Sequence, residues 1–290
     1  MGFEPQETRD EPVLFESLRD PDDQADHDRR KAWEVTLRYR DLRRLGSVGE
    51  REKGKLAERA VAGVLEKAAT MLGPLQTPLR PIEGGLQDWL EAGLAGELDV
   101  EATLGDPQQE PRFTLLQKAP PRSVLLLLDT SLSMRAEKQA WLAVAVAAVA
   151  LSVPSSHLAL LAFGSDVDWL QRFGEAQPIE HLVRRLLELP PGGMTHIEKA
   201  LRAGAEELAR TGLSKPHVLL VSDGRYTEGL DPVFLAPGWD RLHALKLGRE
   251  PWGRQVMIDA ARLGGGQFFE ARREEELPRV LYQAVRKVLT

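Results

Sequence analysis

Three short stretches of this 290-residue sequence place oxygen-bearing side chains where they could hold a hard cation. The first is Asp129-Thr130-Ser131-Leu132-Ser133, which follows the continuous apolar run Ser123 to Leu128. An Asp with two Ser hydroxyls at alternate positions presents three hard oxygens from one turn, a set suited to Mg²⁺ or Mn²⁺ and not to a soft metal. The second stretch, Gly192-Gly193-Met194-Thr195, opens a helical pattern; the third, Ser222-Asp223-Gly224, ends an apolar run that starts near His217. Each also has an ordinary structural reading. Ser131 or Ser133 would cap the helix that follows. Thr195-His196-Ile197-Glu198 reads as a capping box, and Asp223-Gly224 as a plain turn after a strand.

What favours the cation is that all three loops fall at one edge of the sheet the chain predicts. After Pro120-Pro121 the rhythm is strand, helix, strand. Apolar runs at 123–128, 157–163, 167–173, 217–221, 242–247 and 267–270 read as strands, and the periodicity places helices at 136–151, 179–189, 195–211, 254–263 and 274–289. This alternation predicts a doubly wound, mostly parallel six-stranded α/β sheet with helices on both faces. A tight turn at Gly164-Ser165-Asp166 makes a hairpin, giving one antiparallel edge strand. In such sheets ligands bind outside the carboxyl ends of the strands, where the strand order reverses. The helix at 136–151 carries Ala and Val on nearly every side and is expected to be buried all round. Residues 113–290 contain the whole alternation and are expected to fold as a domain alone.

Residues 1–112 read differently. Charge is dense and the pattern is mainly helical, with helices at 27–45 and at 51–72, the latter stopped by Gly73-Pro74. Pro74 to Gly85 holds three prolines and two glycines and is expected to be loop, and 86–94 a short helix. No catalytic constellation stands here, and Trp33 and Leu37 are candidate anchors for a partner. The basic residues at 29–31 and 38–44 are interleaved with acids and aromatics, as on a solvated or partner-binding helix face and not an RNA site.

Composition narrows the function classes. There is no cysteine, which excludes disulfides, iron–sulfur clusters and thiol nucleophiles. A net charge of −6 argues against nucleic-acid binding by charge. The longest apolar run, Trp141 to Val153, falls short of the ~20 residues that span a bilayer, and no apolar segment follows Met1, so the expectation is a cytoplasmic protein without membrane contact. Asparagine is absent and arginine outnumbers lysine 28 to 10, the composition of a thermophile or of GC-rich coding sequence. There is no Gly-x-Ser-x-Gly elbow and no Walker motif, so any ATPase activity must belong to a partner. An apolar strand ending in Asp also opens Mg²⁺-dependent phosphatases of the haloacid-dehalogenase type. Those want a second Asp two residues on, where this chain has Ser131.

Asp-x-Ser-x-Ser, then a Thr after Gly-Gly, then the Asp of Ser-Asp-Gly, in this order over residues 113–290, resembles the metal-ion-dependent adhesion site of von Willebrand factor A (VWA) domains. One departure is Leu132, where many members carry Gly. The resemblance implies that Ser131 and Ser133 bind the metal directly, that Thr195 binds directly or through water, and that Asp129 and Asp223 act largely through bridging water. Mg²⁺ or Mn²⁺ held in this way would keep a position for a Glu or Asp of a partner. The stretch Glu97 to Leu104 ahead of that domain is similar to bacterial CoxE-like proteins that accompany MoxR-type AAA+ ATPases. This implies a non-enzymatic adaptor for such an ATPase or its client. The alternatives are a stand-alone scaffold and an RNA–protein adaptor.

Overall fold

The computed structural model describes residues 21–44, 49–72, 79–84, 97–98, 113–118, 122–134, 137–190, 192–213 and 215–289. The short helix expected at 86–94 lies outside them. Six strands form the main sheet: β4 (Val124–Asp129), β5 (Leu158–Phe163), β6 (Val167–Gln171), β7 (His217–Ser222), β8 (Leu242–Leu247) and β9 (Gly265–Ala271). Their order is β6-β5-β4-β7-β8-β9, all parallel except β6, which turns back against β5. The doubly wound sheet with one antiparallel edge strand is therefore present. Because β4 sits between β5 and β7, the chain winds outward in both directions from it. The strand order reverses at the carboxyl ends of β4 and β7.

β4, β5, β7 and β8 are buried along their full lengths, as central strands covered on both faces must be. Alternate side chains feed two cores. Val124, Leu126 and Leu128 pack with α3 (Glu137–Ser152), α4 (Ile179–Glu188) and α7 (Leu277–Leu289). Leu125 and Leu127 pack with α5 (Ile197–Thr211), α6 (Arg254–Leu263) and the 3₁₀ segment Pro232–Gly238.

The N-terminal helices, α1 (Pro21–Arg44) and α2 (Glu50–Leu72), belong to the first of these cores. Ala57, Ala60, Val61, Val64 and Ala68 of α2 are buried in it. They cover the side of α3 that faces away from the sheet, which is why every α3 residue from Gln139 to Val149 is buried. α1 crosses α2 closely: a Cβ on Gly63 would lie 2.8 Å from Thr36 Oγ1, which donates to the carbonyl of Ala60 (3.0 Å). Trp33 is consumed in the same packing, its ring centroid 4.9 Å from that of Trp141, with the Lys67 ammonium over both rings. The assignment of Trp33 as a partner anchor is thus corrected, and the covering layer on this face is not completed by residues 113–290.

The loop expected over 74–85 is also corrected. Leu79–Gly84 is a strand, β1, which pairs antiparallel with β3 (Phe113–Lys118); β2 (Glu97–Leu98) pairs with the other side of β3. Pro81 misled because proline is excluded from central strands, whereas β1 is an edge strand, where proline is tolerated.

At the sheet edge opposite the three loops, His217 and His243 stack at 5.5 Å between centroids, both almost fully buried. The guanidinium groups of Arg122 and Arg241 lie 2.9 and 3.1 Å from His217 Nε2, and Gln267 N–H donates to His243 Nδ1. Burial, reinforced by nearby cations, pushes His217 down to about 3 and His243 to about 4. Between pH 6.5 and about 4 the unfolded chain therefore binds protons that the folded chain refuses, so stability must fall with falling pH. At pH 5 each imidazole is expected to contribute a loss on the order of 2 kcal/mol relative to pH 8. Urea unfolding at the two pH values checks this. A His217→Gln/His243→Gln double variant should lose that share of the slope; an identical pH dependence in variant and parent would refute it.

Candidate metal centre

The three oxygen-bearing loops converge. Asp129 is the last residue of β4 and is fully buried; Asp223 follows β7 and is 5% exposed. The Ser131 hydroxyl lies 3.1 Å from that of Ser133 and accepts a hydrogen bond from Thr195 Oγ1 at 2.8 Å. Ser131 and Thr195 are buried, while Ser133 opens to solvent. Adjacent oxygens of an octahedral Mg²⁺ site, at ~2.1 Å from the ion, lie ~3 Å apart. The two hydroxyl separations, 3.1 and 2.8 Å, match that spacing, so they have the dimensions of two edges of such a site that meet at Ser131.

The capping readings do not survive. Ser131 and Ser133 lead into a 3₁₀ turn, Leu132–Met134, and α3 begins only at Glu137. α5 starts at Ile197 with His196 at its N-cap, and no side chain caps it. Glu198, which a capping box would turn back on the helix end, instead accepts from Leu230 N–H (2.7 Å) and from Arg202. Thr195 is left free of the helix and its hydroxyl turns to Ser131.

Asp129 carries the electrostatics. Its Oδ1 accepts from Ser131 N–H at 2.9 Å and its Oδ2 from the Ser222 hydroxyl at 2.5 Å. No basic side chain lies within salt-bridge distance of it among the described residues. Burial pushes its pKa up to about 6, against these hydrogen bonds and with a small contribution from the Asp223 charge. A buried carboxylate so held is suited to the neighbourhood of a cation. Asp223 differs, because Lys138 Nζ lies 3.3 Å from its Oδ2 and 3.3 Å from Glu250. Among the described residues no three His, Cys, Asp or Glu side chains gather at one point, so the candidate set combines two carboxylates with three hydroxyls.

Backbone clamps fix the loops. Thr195 N–H donates to Thr227 Oγ1, and its carbonyl accepts from Thr227 N–H. The Asp223 loop approaches the loop before α6 back to back through Gly224 (φ +79°) and Gly253 (φ +74°), and a Cβ on either would strike the other's backbone. Ser222 had no assigned role in the sequence reading, yet it orients Asp129 and accepts from Gly224 N–H. The signal was available in the strand's period of two: at the end of β7, Ser222 and Asp223 must point to opposite faces. Lys138 gave no such signal, since it comes from α3, 85 positions away. His196 is half-buried, its Nδ1 without a partner among the described residues.

Residues 93–236, which span all three loops, match the family model described as VWA domain containing CoxE-like protein. Solved structures similar to the chain include a von Willebrand factor type A protein from Catenulispora acidiphila (13% identity, 61% of this chain, 44% of that one, TM-score 0.48). Others are BatB from Bacteroides thetaiotaomicron (14%, 58% and 98%, 0.45) and proximal thread matrix protein 1 from the mussel byssus with a zinc-occupied MIDAS motif (16%, 58% and 48%, 0.48). The chain spans about half the length of the mussel and Catenulispora proteins. No curated protein matches it.

Proposed function

We propose that this chain, whose residues 93–236 match the model of VWA domain containing CoxE-like proteins, is a metal-dependent protein-binding adaptor whose docking face is the carboxyl edge of its sheet. The observation that supports this most is the hydrogen-bonded trio of Ser131, Ser133 and Thr195 beside the buried Asp129, which pairs with no basic side chain among the described residues. In this reading Ser131, Ser133 and Thr195 offer hydroxyls to Mg²⁺ or Mn²⁺, while Asp129 and Asp223 supply charge. When bound, the ion would act as a Lewis acid toward a partner's Asp or Glu carboxylate. Lys138 offsets part of the charge of Asp223, which limits how tightly the cluster attracts cations. Neutral hydroxyls close to the ion and carboxylates farther out favour an added anionic ligand over a closed cage.

The partner is a MoxR-type AAA+ ATPase or the client it remodels. Among the described residues no helix is long and apolar enough to cross a membrane. Biolayer interferometry of the full chain against a MoxR-type AAA+ ATPase, in Mg²⁺ and in EDTA at matched ionic strength, tests the proposal. Association should fall at least tenfold in EDTA, and Thr195→Ala should reproduce that fall without adding to it, because both remove one unit. Binding unchanged in EDTA would move the interface elsewhere.

A further inference from the structure

Lys138 stands where a helix least favours a cation. It lies in the first turn of α3, at the positive end of the helix dipole, where an acid such as its neighbour Glu137 is the favoured type. Two carboxylates from distant segments hold it there. Its ammonium is 3.3 Å from Asp223 Oδ2, after β7, and 3.3 Å from Glu250 Oε2, on the loop after β8. Both distances exceed the roughly 2.7–2.9 Å of a closed ammonium–carboxylate bond, so the cation is shared and committed to neither.

The backbone makes room for this arrangement. Gly248 has φ +106°, and a Cβ on it would lie 2.8 Å from Lys138 Cε and 2.5 Å from Glu250 Oε2. The two carboxylates are unlike. The Asp223 side chain is 7% exposed and belongs to the metal centre, whereas that of Glu250 is 53% exposed. Glu250 and Lys138, with Trp141 and Leu277, line a cavity of about 390 Å³ that does not extend to Asp223, so the ammonium has space to move on the Glu250 side. Lys246 is fully buried and fixed by donation to the Gly248 carbonyl at 3.0 Å; its charge acts on Lys138, Glu250 and Asp223 together. Arg225 beside Asp223, and Glu137, Arg249, Arg272, Arg273 and Glu275 around the cavity, are exposed, and solvent screens them.

We propose that Lys138 is a tethered counter-ion that competes with the divalent ion for Asp223, and that Glu250 receives its ammonium when the ion binds. This rests on the metal-dependent reading above and adds how the affinity of that site is set. A divalent ion and an ammonium repel each other across one carboxylate. Without Glu250, metal binding would strand the Lys138 charge at a helix N-terminus. With it, the ammonium exchanges a buried partner for an exposed one and keeps an ion pair throughout.

Calorimetric titration of Mn²⁺ into the full chain, Lys138→Met, Glu250→Gln and the double variant tests this. Lys138→Met should bind on the order of tenfold more tightly than the parent, and Glu250→Gln about threefold more weakly, since it leaves the ammonium to Asp223 alone. The double variant should match Lys138→Met within about twofold, because Glu250 acts on the metal only through Lys138. A double variant that returns to the parental affinity would overturn the tether, since additivity marks two independent charges in a diffuse field. Parental affinity in Lys138→Met would overturn it as well. A second readout needs no variant: acetylation of Lys138 in the parent, followed by mass spectrometry, should run at least about threefold faster in Mg²⁺ than in EDTA, because the exposed carboxylate holds the ammonium less firmly. Equal rates would overturn the transfer to Glu250 while leaving the metal site standing. No saturable Mn²⁺ site in the parent or in any variant would instead remove the metal-dependent reading, and the tether with it.

Discussion

Removing residues 1–78, and with them α1 and α2, is expected to yield a fragment that no longer unfolds cooperatively and binds hydrophobic dyes. α3 has no polar face: Ala140, Trp141, Ala143, Val144, Ala147 and Ala148 all lie at 5% exposure or less. Only part of that surface packs on the sheet, and the rest is covered by Ala57, Ala60, Val61, Val64 and Ala68 of α2. At roughly 25 cal/mol per Å², baring even ~300 Å² of apolar surface costs ~8 kcal/mol. That is comparable with the whole stability of an ordinary domain, about 5–15 kcal/mol. Calorimetry of the fragment 79–290 beside the full chain checks this. A sharp transition near the parental Tm would show that α2 is an appendage and not a layer of the core.

Asp129→Asn is expected to separate stability from function. Keeping Asp129 ionised inside the protein, with its pKa near 6 instead of 3.8, costs on the order of 3 kcal/mol at neutral pH. Asn has nearly the same shape, can still accept from Ser131 N–H, and carries no charge to desolvate. Its variant should therefore melt at the parental temperature or roughly 5 °C above it, yet lose divalent-cation affinity by about a hundredfold. A gain in stability with a loss of binding is the pattern of a site held in tension for its ligand. A variant that melts lower and retains the cation would make Asp129 a structural residue.

Much of this was legible beforehand for a physical reason. Parallel strands buried on both faces are written as unbroken apolar runs, so 123–128, 217–221 and 242–247 could be read directly. The polar residue that ends such a run marks the sheet edge, as Asp129 and Asp223 do. The illegible parts depend on contacts between distant segments. Nothing local to α3 tells that α2 is what covers it, although its all-round Ala and Val demanded some cover. Trp33 has the helical spacing of an anchor, and only the position of Trp141 shows that it is occupied internally. Thr195 satisfies a capping-box pattern that the structure declines, because Glu198 finds a better donor in Leu230, 32 positions on.

The most direct measurement is a calorimetric titration of Mn²⁺ into the full chain and into Thr195→Ala. The side chains of Ser131, Ser133 and Thr195 form one hydrogen-bonded unit, so removing one hydroxyl should disable it. The expected result is a single saturable site in the parent, displaced by Mg²⁺, with affinity reduced at least about tenfold in the variant. Equal Mn²⁺ affinity in the two proteins, or no saturable site in the parent, would contradict the assignment of this edge as a metal-dependent docking face.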